Sequence, residues 1–134
     1  MFKKIVAFLT IIVSISFLPL PLRINAQQAS TSTAIQASIK SILANKDNYD
    51  HKEVLVEGKV TSLKFKTSKK GNDYANFHLS DIPGNSIRVF VWGHPSISES
   101  DRVEVKGIFY KVKYVGRYRF YDEIDAESIK RLEK

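Results

Sequence analysis

The chain has no cysteine among its 134 residues. That absence excludes disulfide frameworks, thiolate zinc sites, cysteine nucleophiles and thiol redox chemistry together, and with them a bacterial lipoprotein attached through an N-terminal cysteine. No segment repeats, so solenoids and propellers are excluded. No serine sits in a Gly-x-Ser-x-Gly elbow, and no glycine loop is built to cradle a phosphate. His51, His78 and His94 fall on a turn, a strand and a strand end, without the His-x-His or His-Glu-x-x-His spacing that binds zinc, and read as surface or structural histidines. The acidic residues Asp122, Glu123, Asp125 and Glu127 lack the loop glycine and ligand spacing of a calcium hand and read as a solvated strand end. No cofactor and no metal is implied.

What is present is ordinary for a globular domain: 43% of residues are hydrophobic and 26% charged. The order of composition says more. Lys3 and Lys4 give a positive start, residues 5–22 are an almost unbroken apolar run, and Ile24, Asn25 and Ala26 precede polar Gln27 and Gln28. This is the pattern of an export signal, with cleavage expected after Ala26 and a secreted or periplasmic destination. The rival is an uncleaved anchor, since an 18-residue run is just long enough to span a bilayer. Pro19 and Pro21, which break the run, and the small residue at the cut favour cleavage, after which no stable membrane span is expected. The expected organisation is a signal at 1–26, a flexible leader at 27–33 and one domain at 34–134.

Without the signal, 18 Lys and Arg stand against 14 Asp and Glu, too mild a surplus to mean anything alone. Its distribution is informative. Residues 59–119 hold 12 basic and five acidic side chains, whereas 27–58 and 120–134 together hold six basic and nine acidic ones. A chain sorted this way should turn one positive surface toward an anionic partner.

Ile35, Ile39, Ile42 and Leu43 recur at helical offsets and predict a helix over 33–44, ended by Asn45 in a left-handed conformation. The period then changes to two. A long first strand is expected from 53 to about 65, with Gly58 permitting a bulge or sharp coil so that one strand serves both ends of a small closed sheet. A lysine-rich hairpin at 67–73 leads to a second strand over 74–80, ended by a turn at Pro83 and Gly84, and a third strand follows over 86–92. Residues 94–101 leave no room for a long helix. A fourth strand from 102 to about 112, a basic and aromatic loop around Gly116, a fifth strand from about 118 to 125 and a short C-terminal helix or turn carrying Ile129 and Leu132 complete the chain. Five strands this short hide their edges best by closing into a barrel.

The runs V-L-V-E-G-K-V from Val54, Y-A-N-F-H-L-S-D from Tyr74, S-I-R-V-F-V from Ser86 and D-R-V-E-V-K-G from Asp101 resemble the oligonucleotide/oligosaccharide-binding (OB) fold. The nearest likeness is to the branch found in anticodon-binding domains of tRNA synthetases and in nuclease-associated nucleic-acid-binding domains. The resemblance covers about residues 35–130 and implies an all-β, five-stranded antiparallel Greek-key barrel preceded by a helix. One departure is that the helix many members place between strands three and four shrinks here to 94–100. By resemblance, such barrels hold single-stranded DNA or RNA across strands two and three, between the one-two and four-five loops.

The residues can be read against that implication. If Phe77, Leu79, Ile87, Val89 and Val91 point inward, Tyr74, Asn76, His78, Arg88, Phe90 and Trp92 share the outward face. Aromatic rings beside an arginine and an amide make a stacking platform with phosphate and base-edge contacts. The first flanking segment adds Lys64, Lys66, Lys69 and Lys70; the second adds Lys111, Lys113, Arg117 and Arg119, interleaved with Tyr110, Tyr114 and Tyr118. The plainer alternative is that Phe90 and Trp92 pack under a terminal helix, and that the lysines are solvated charges guarding a sheet edge. The expected function is a non-enzymatic module binding single-stranded nucleic acid or another polyanion. The other class is an envelope interaction protein binding a protein or an acidic glycan. The barrel is also similar to the thermonuclease family, but only Asp81 and Arg88 match its Arg-plus-acid pattern, with no second paired Arg and Glu, so cleavage ranks last.

Overall fold

A computed structural model describes residues 33–81 and 84–133. The expected signal, its cut, nearly all of the leader, and Pro83 of the expected turn lie outside the described residues. In chain order the elements are β1 (Ile35–Gln36), α1 (Ile39–Ala44), α2 (Lys46–Tyr49), β2 (Glu53–Thr67), β3 (Asp73–Ser80), β4 (Ser86–Trp92), β5 (Arg102–Val115) and β6 (Tyr118–Glu133).

The period-two pattern builds the core. Val54, Val56 and Val60 of β2, Ala75, Phe77 and Leu79 of β3, Val89 of β4, Val103, Val105 and Phe109 of β5 and Ile124 of β6 are fully buried, while their strand neighbours look outward. Each of the Val, Leu, Ile and Phe side chains contributes roughly 1.5–3 kcal/mol on leaving water. Ile39 and Ile42 of α1 join the same core from one side. The strands close in the order β2, β3, β4, β6, β5 and back to β2, so the ring leaves no free sheet edge among its five members. Within the ring all pairs are antiparallel except β4 with β6, which is parallel; the short β1 outside the ring also pairs in parallel, with β2.

One strand does serve two partners. Glu53 to Lys59 pair with β5, and Lys59 to Thr67 pair with β3. Gly58 sits at this handover, where a Cβ would stand 2.8 Å from Leu79 Cγ and 3.0 Å from the Ser80 carbonyl oxygen. The glycine is needed for close approach rather than for the expected bulge. The bulge lies further on, between Thr61 and Lys64, where Ser62 has φ 55° and the Glu99 carboxylate accepts hydrogen bonds from the backbone N–H groups of Ser62 and Leu63.

Three expectations are corrected. The helix over 33–44 is only α1, because the Ser38 hydroxyl caps it by accepting from the Ser41 N–H, and Ile35 instead pairs in parallel with Val54. Asn45 is not left-handed; its φ is −134°, and its N–H bonds to the carbonyls of Ser41 and Ile42 at the joint between the two helices. The C-terminal helix or turn is absent: β6 runs on to Glu133, pairs Ile129 with Val105, and lays Ile129 against the core. Ile129 satisfies a strand spacing once β5 offers a backbone to pair with, which sequence periodicity alone does not reveal.

Candidate functional site

The registers of β3 and β4 decide which side chains share the outward face. Tyr74 stands opposite Trp92, Asn76 opposite Phe90, and His78 opposite Arg88. Phe90 and Trp92 meet edge to face at 5.0 Å, Tyr74 and Trp92 at 5.9 Å, and Tyr74 tilts against Phe90 at 5.4 Å. Trp92 is 61% exposed, whereas Tyr74 and Phe90 are half-buried beside it. Neither aromatic packs under a terminal helix: α1 turns its buried residues to the core, and the C-terminal segment is a strand. This arrangement presents the indole as a flat surface braced by two other rings.

The β5–β6 hairpin bends over that surface. Asp122 adopts φ 53°, an uncommon conformation for a side-chain-bearing residue, and the bend is braced from behind by α2. Lys46 Nζ lies 2.9 Å from Asp122, Lys111 Nζ lies 2.9 Å from Asp47, and the Lys111 N–H donates to Asp50. That N–H, aided by His51, holds the Asp50 carboxyl below its ordinary pKa. Asp47 in turn raises the pKa of Lys111. On the front of the bend Lys113, Val115 and Phe120 face Tyr74, Phe90 and Trp92 across a cleft of about 520 Å³. Lys66 of β2 stands at its other margin.

The floor of the cleft is a charge quartet. Lys113 Nζ donates to Glu123 at 3.1 Å and to Asp125, and rests 4.5 Å above the Phe90 ring. Arg88 Nε lies 3.2 Å from Glu123 Oε2 and its guanidinium 4.8 Å from the Phe120 ring centre. The Arg88–Glu123 approach is an ion-pair contact without hydrogen-bond alignment, so Glu123 Oε2 accepts no hydrogen bond. Glu123 is only 2% exposed. Burial lifts its pKa above the usual glutamate value, and Lys113 and Arg88 offset this only in part. Burial also works against the charge on Lys113, but the bonds it donates to Asp125 and the nearby Glu123 outweigh that and hold its pKa above the lysine norm.

The acidic residues of β6 are therefore not simply a solvated strand end. Glu123 and Asp125 line the cleft, and sequence reasoning missed both, together with Val115 and Phe120. The available signal was the alternation of Tyr121, Glu123 and Asp125 on one parity of β6, with Glu123 and Asp125 in register with Arg88 and Phe90 of β4. Of the expected cations, Lys64, Lys66, Lys69, Lys70, Arg117 and Arg119 are exposed and form no ion pair among the described residues; Arg119 lies 5.5 Å from the Tyr114 ring. Lys111 faces α2 and Lys113 is internal, so these two stand apart from the exposed set. Among the described residues no group of three His, Asp or Glu is placed to hold a metal, and no helix is long and apolar enough to cross a membrane.

No protein-family model matches the chain, and no curated protein matches it. Solved structures do. A protein assigned as an aspartyl-tRNA synthetase from Leishmania major Friedlin superposes with a TM-score of 0.57 at 14% identity, over 81% of this chain and 22% of that one. A structure of yeast Stn1 and Ten1 superposes with a TM-score of 0.58 at 14% identity, over 78% of this chain and 65% of that one. The second OB-fold domain of replication protein A from Methanococcus maripaludis gives a TM-score of 0.45 at 22% identity, covering 63% of this chain and 88% of that domain, and no argument rests on it. At these identities the likeness is one of fold, and with the closed ring described above the fold is the OB-fold. The chain spans about a fifth of the synthetase and less than two thirds of the second neighbour.

Proposed function

We propose that the chain is an exported, non-enzymatic module that binds single-stranded nucleic acid across β3 and β4. One observation carries this reading: the 61% exposed Trp92, braced by Tyr74 and Phe90, stands in a cleft between two arms that bear cations with no ion-pair partner among the described residues. Stacking of a base on such a ring contributes ~1–3 kcal/mol, and every base offers a flat face, so the surface favours unpaired strands over duplex. Phosphates on either side meet Lys64, Lys66, Lys69 and Lys70 of one arm and Arg117 and Arg119 of the other. Phe90 has its outer face occupied by Lys113 and acts as a brace for the indole rather than as a second platform. The neighbour assigned as a synthetase acts, by its name, on a tRNA, which agrees with this use of the fold without fixing it here.

The test is a titration of the fluorescence of Trp92, the chain's one tryptophan, with single-stranded and duplex oligonucleotides and with an acidic glycan, at two salt concentrations. Tighter binding of the single strand, falling steeply with salt, is expected, and Trp92→Ala should weaken it by about tenfold. Preference for the glycan would move the assignment to envelope polyanions. Shortened oligonucleotides that form with calcium and not with chelator would overturn the non-enzymatic part. Export is tested separately by N-terminal sequencing of the product outside the cytoplasm, which should begin at Gln27.

A further inference from the structure

Beyond Ile108 of β5 and before Glu123 of β6, the two strands have no ladder partner but each other among the described residues. They form a two-stranded arm, and residues paired across it share a face. Lys113 pairs with Phe120 and Val115 with Tyr118, and Lys113, Val115 and Phe120 line the cleft. Val112 pairs with Tyr121 and Tyr114 with Arg119, so these side chains stand on the reverse of the arm, turned away from the cleft.

The reverse face is unlike an ordinary solvated one. Half of the large apolar side chains that stand exposed among the described residues gather between Tyr114 and Tyr121; on the reverse face Tyr114 is 66% and Tyr121 61% exposed. The Arg119 guanidinium lies 5.5 Å from the Tyr114 ring centre. No carboxylate interrupts residues 113–121. Asp47, Asp50 and Asp122 stand at the root of the arm, where Lys111, its N–H and Lys46 engage them. Tyrosine rings beside an arginine, with no acid between them, match the flat bases and charged phosphates of an unpaired strand. The two arginines also give a direction. Arg117 lies in the turn that joins the strands and Arg119 on the reverse face, so a phosphate that meets Arg119 lies beyond the tip as seen from the cleft.

We propose that a single strand leaving the cleft wraps round the tip of the β5–β6 arm and stacks a further base on Tyr121 and Tyr114 of its reverse face. One strand then holds the arm on both sides, with a base on Trp92 in front, a base on the tyrosines behind, and phosphates on Arg117 and Arg119 between them. The two faces are continuous through the turn at Gly116 and Arg117, so a second ligand is not needed. The inference rests on the single-strand reading above and adds a length requirement to it: the strand must outrun the cleft.

The experiment titrates Trp92 fluorescence of the full chain with oligo-dT of about 4 and about 12 nucleotides, near the two ends of the range that one small barrel occupies. The longer strand should bind at least about tenfold tighter, and Tyr121→Ser should remove most of that gain. An unfolding midpoint in denaturant close to that of the unaltered protein reports that the variant is folded. With 5-iodouracil in place of thymine, irradiation should join the longer strand to Tyr114 or Tyr121, located by peptide mass spectrometry, and the shorter strand to neither. Equal affinities for the two lengths, a gain that Tyr121→Ser leaves intact, or crosslinks confined to the cleft overturns the wrapping and leaves the single-strand reading standing. If no length gain appears, and vesicles of equal parts phosphatidylcholine and phosphatidylglycerol sediment the unaltered protein but not Tyr121→Ser, the face belongs to a bilayer and the proposal falls. Absence of binding at both lengths overturns both readings.

Discussion

The two arms beside the cleft carry four basic side chains each and use them differently. Lys64, Lys66, Lys69 and Lys70 on the β2–β3 side are exposed and unpaired among the described residues. On the β5–β6 side only Arg117 and Arg119 resemble them, because Lys111 braces the bend against Asp47 and Lys113 is sealed between Glu123 and Asp125. A count of cations thus overstates the charge that a polyanion can meet. Solvated lysines lose their counterions to a ligand, whereas paired ones are already neutralised and hold the arm in place.

The largest test of this contrast replaces Lys64, Lys66, Lys69 and Lys70 together with glutamine. Single-strand affinity near 0.1 M salt should fall by about two orders of magnitude, and the slope of log affinity against log salt should flatten by about 3, at roughly 0.7 per phosphate contact. Next comes stability. Lys113→Met leaves Glu123 and Asp125 facing each other at the cleft floor and should cost about 2 kcal/mol in denaturant unfolding, while Lys66→Met should stay within about 0.5 kcal/mol.

A third, smaller effect depends on pH. Lys113 has a folded pKa raised above its ordinary 10.5, so its contribution is complete below that value and is lost as pH rises through the folded pKa. The stability gap between the unaltered protein and Lys113→Met should close in strong alkali. Glu123 is raised above 4.5, so it favours the folded state most below that pH and loses this contribution as pH rises through its folded value. Measured against Glu123→Gln, the unaltered protein should gain stability as pH is lowered from 7 toward 4. The smallest effect is expected for Lys111→Gln, which should change oligonucleotide affinity by less than about twofold. A loss as large as that from a β2–β3 lysine would break the comparison.

Much of this was legible before any coordinates. Strict alternation in 74–80 and 86–92 placed Tyr74, Phe90 and Trp92 on the face opposite Phe77 and Val89, because a strand leaves its side chains only two directions. The pairing state of each cation was not legible. It depends on the left-handed turn at Asp122, which folds the β5–β6 arm over the sheet and brings Lys113 down on Phe90; nothing in the residue type announces such a bend. Similarly, the helical spacing of Ile35 with Ile39 lost to the Ser38 cap and to a backbone partner in β2, a non-local interaction invisible to periodicity. The carboxylates of β6 were hidden for the same reason: their neighbours come from β4 and β5.

The Glu99 carboxylate, which clasps the backbone of Ser62 and Leu63, belongs to the connector between β4 and β5 and is no part of the cleft lining. Yet the crook it holds lies just beyond the change of partner at Lys59, where β2, already paired with β3, bends into the stretch carrying Lys64 and Lys66. One acidic side chain in a loop thereby sets the aim of a row of lysines, and shortening it to aspartate should misdirect them while leaving every ligand-facing residue intact.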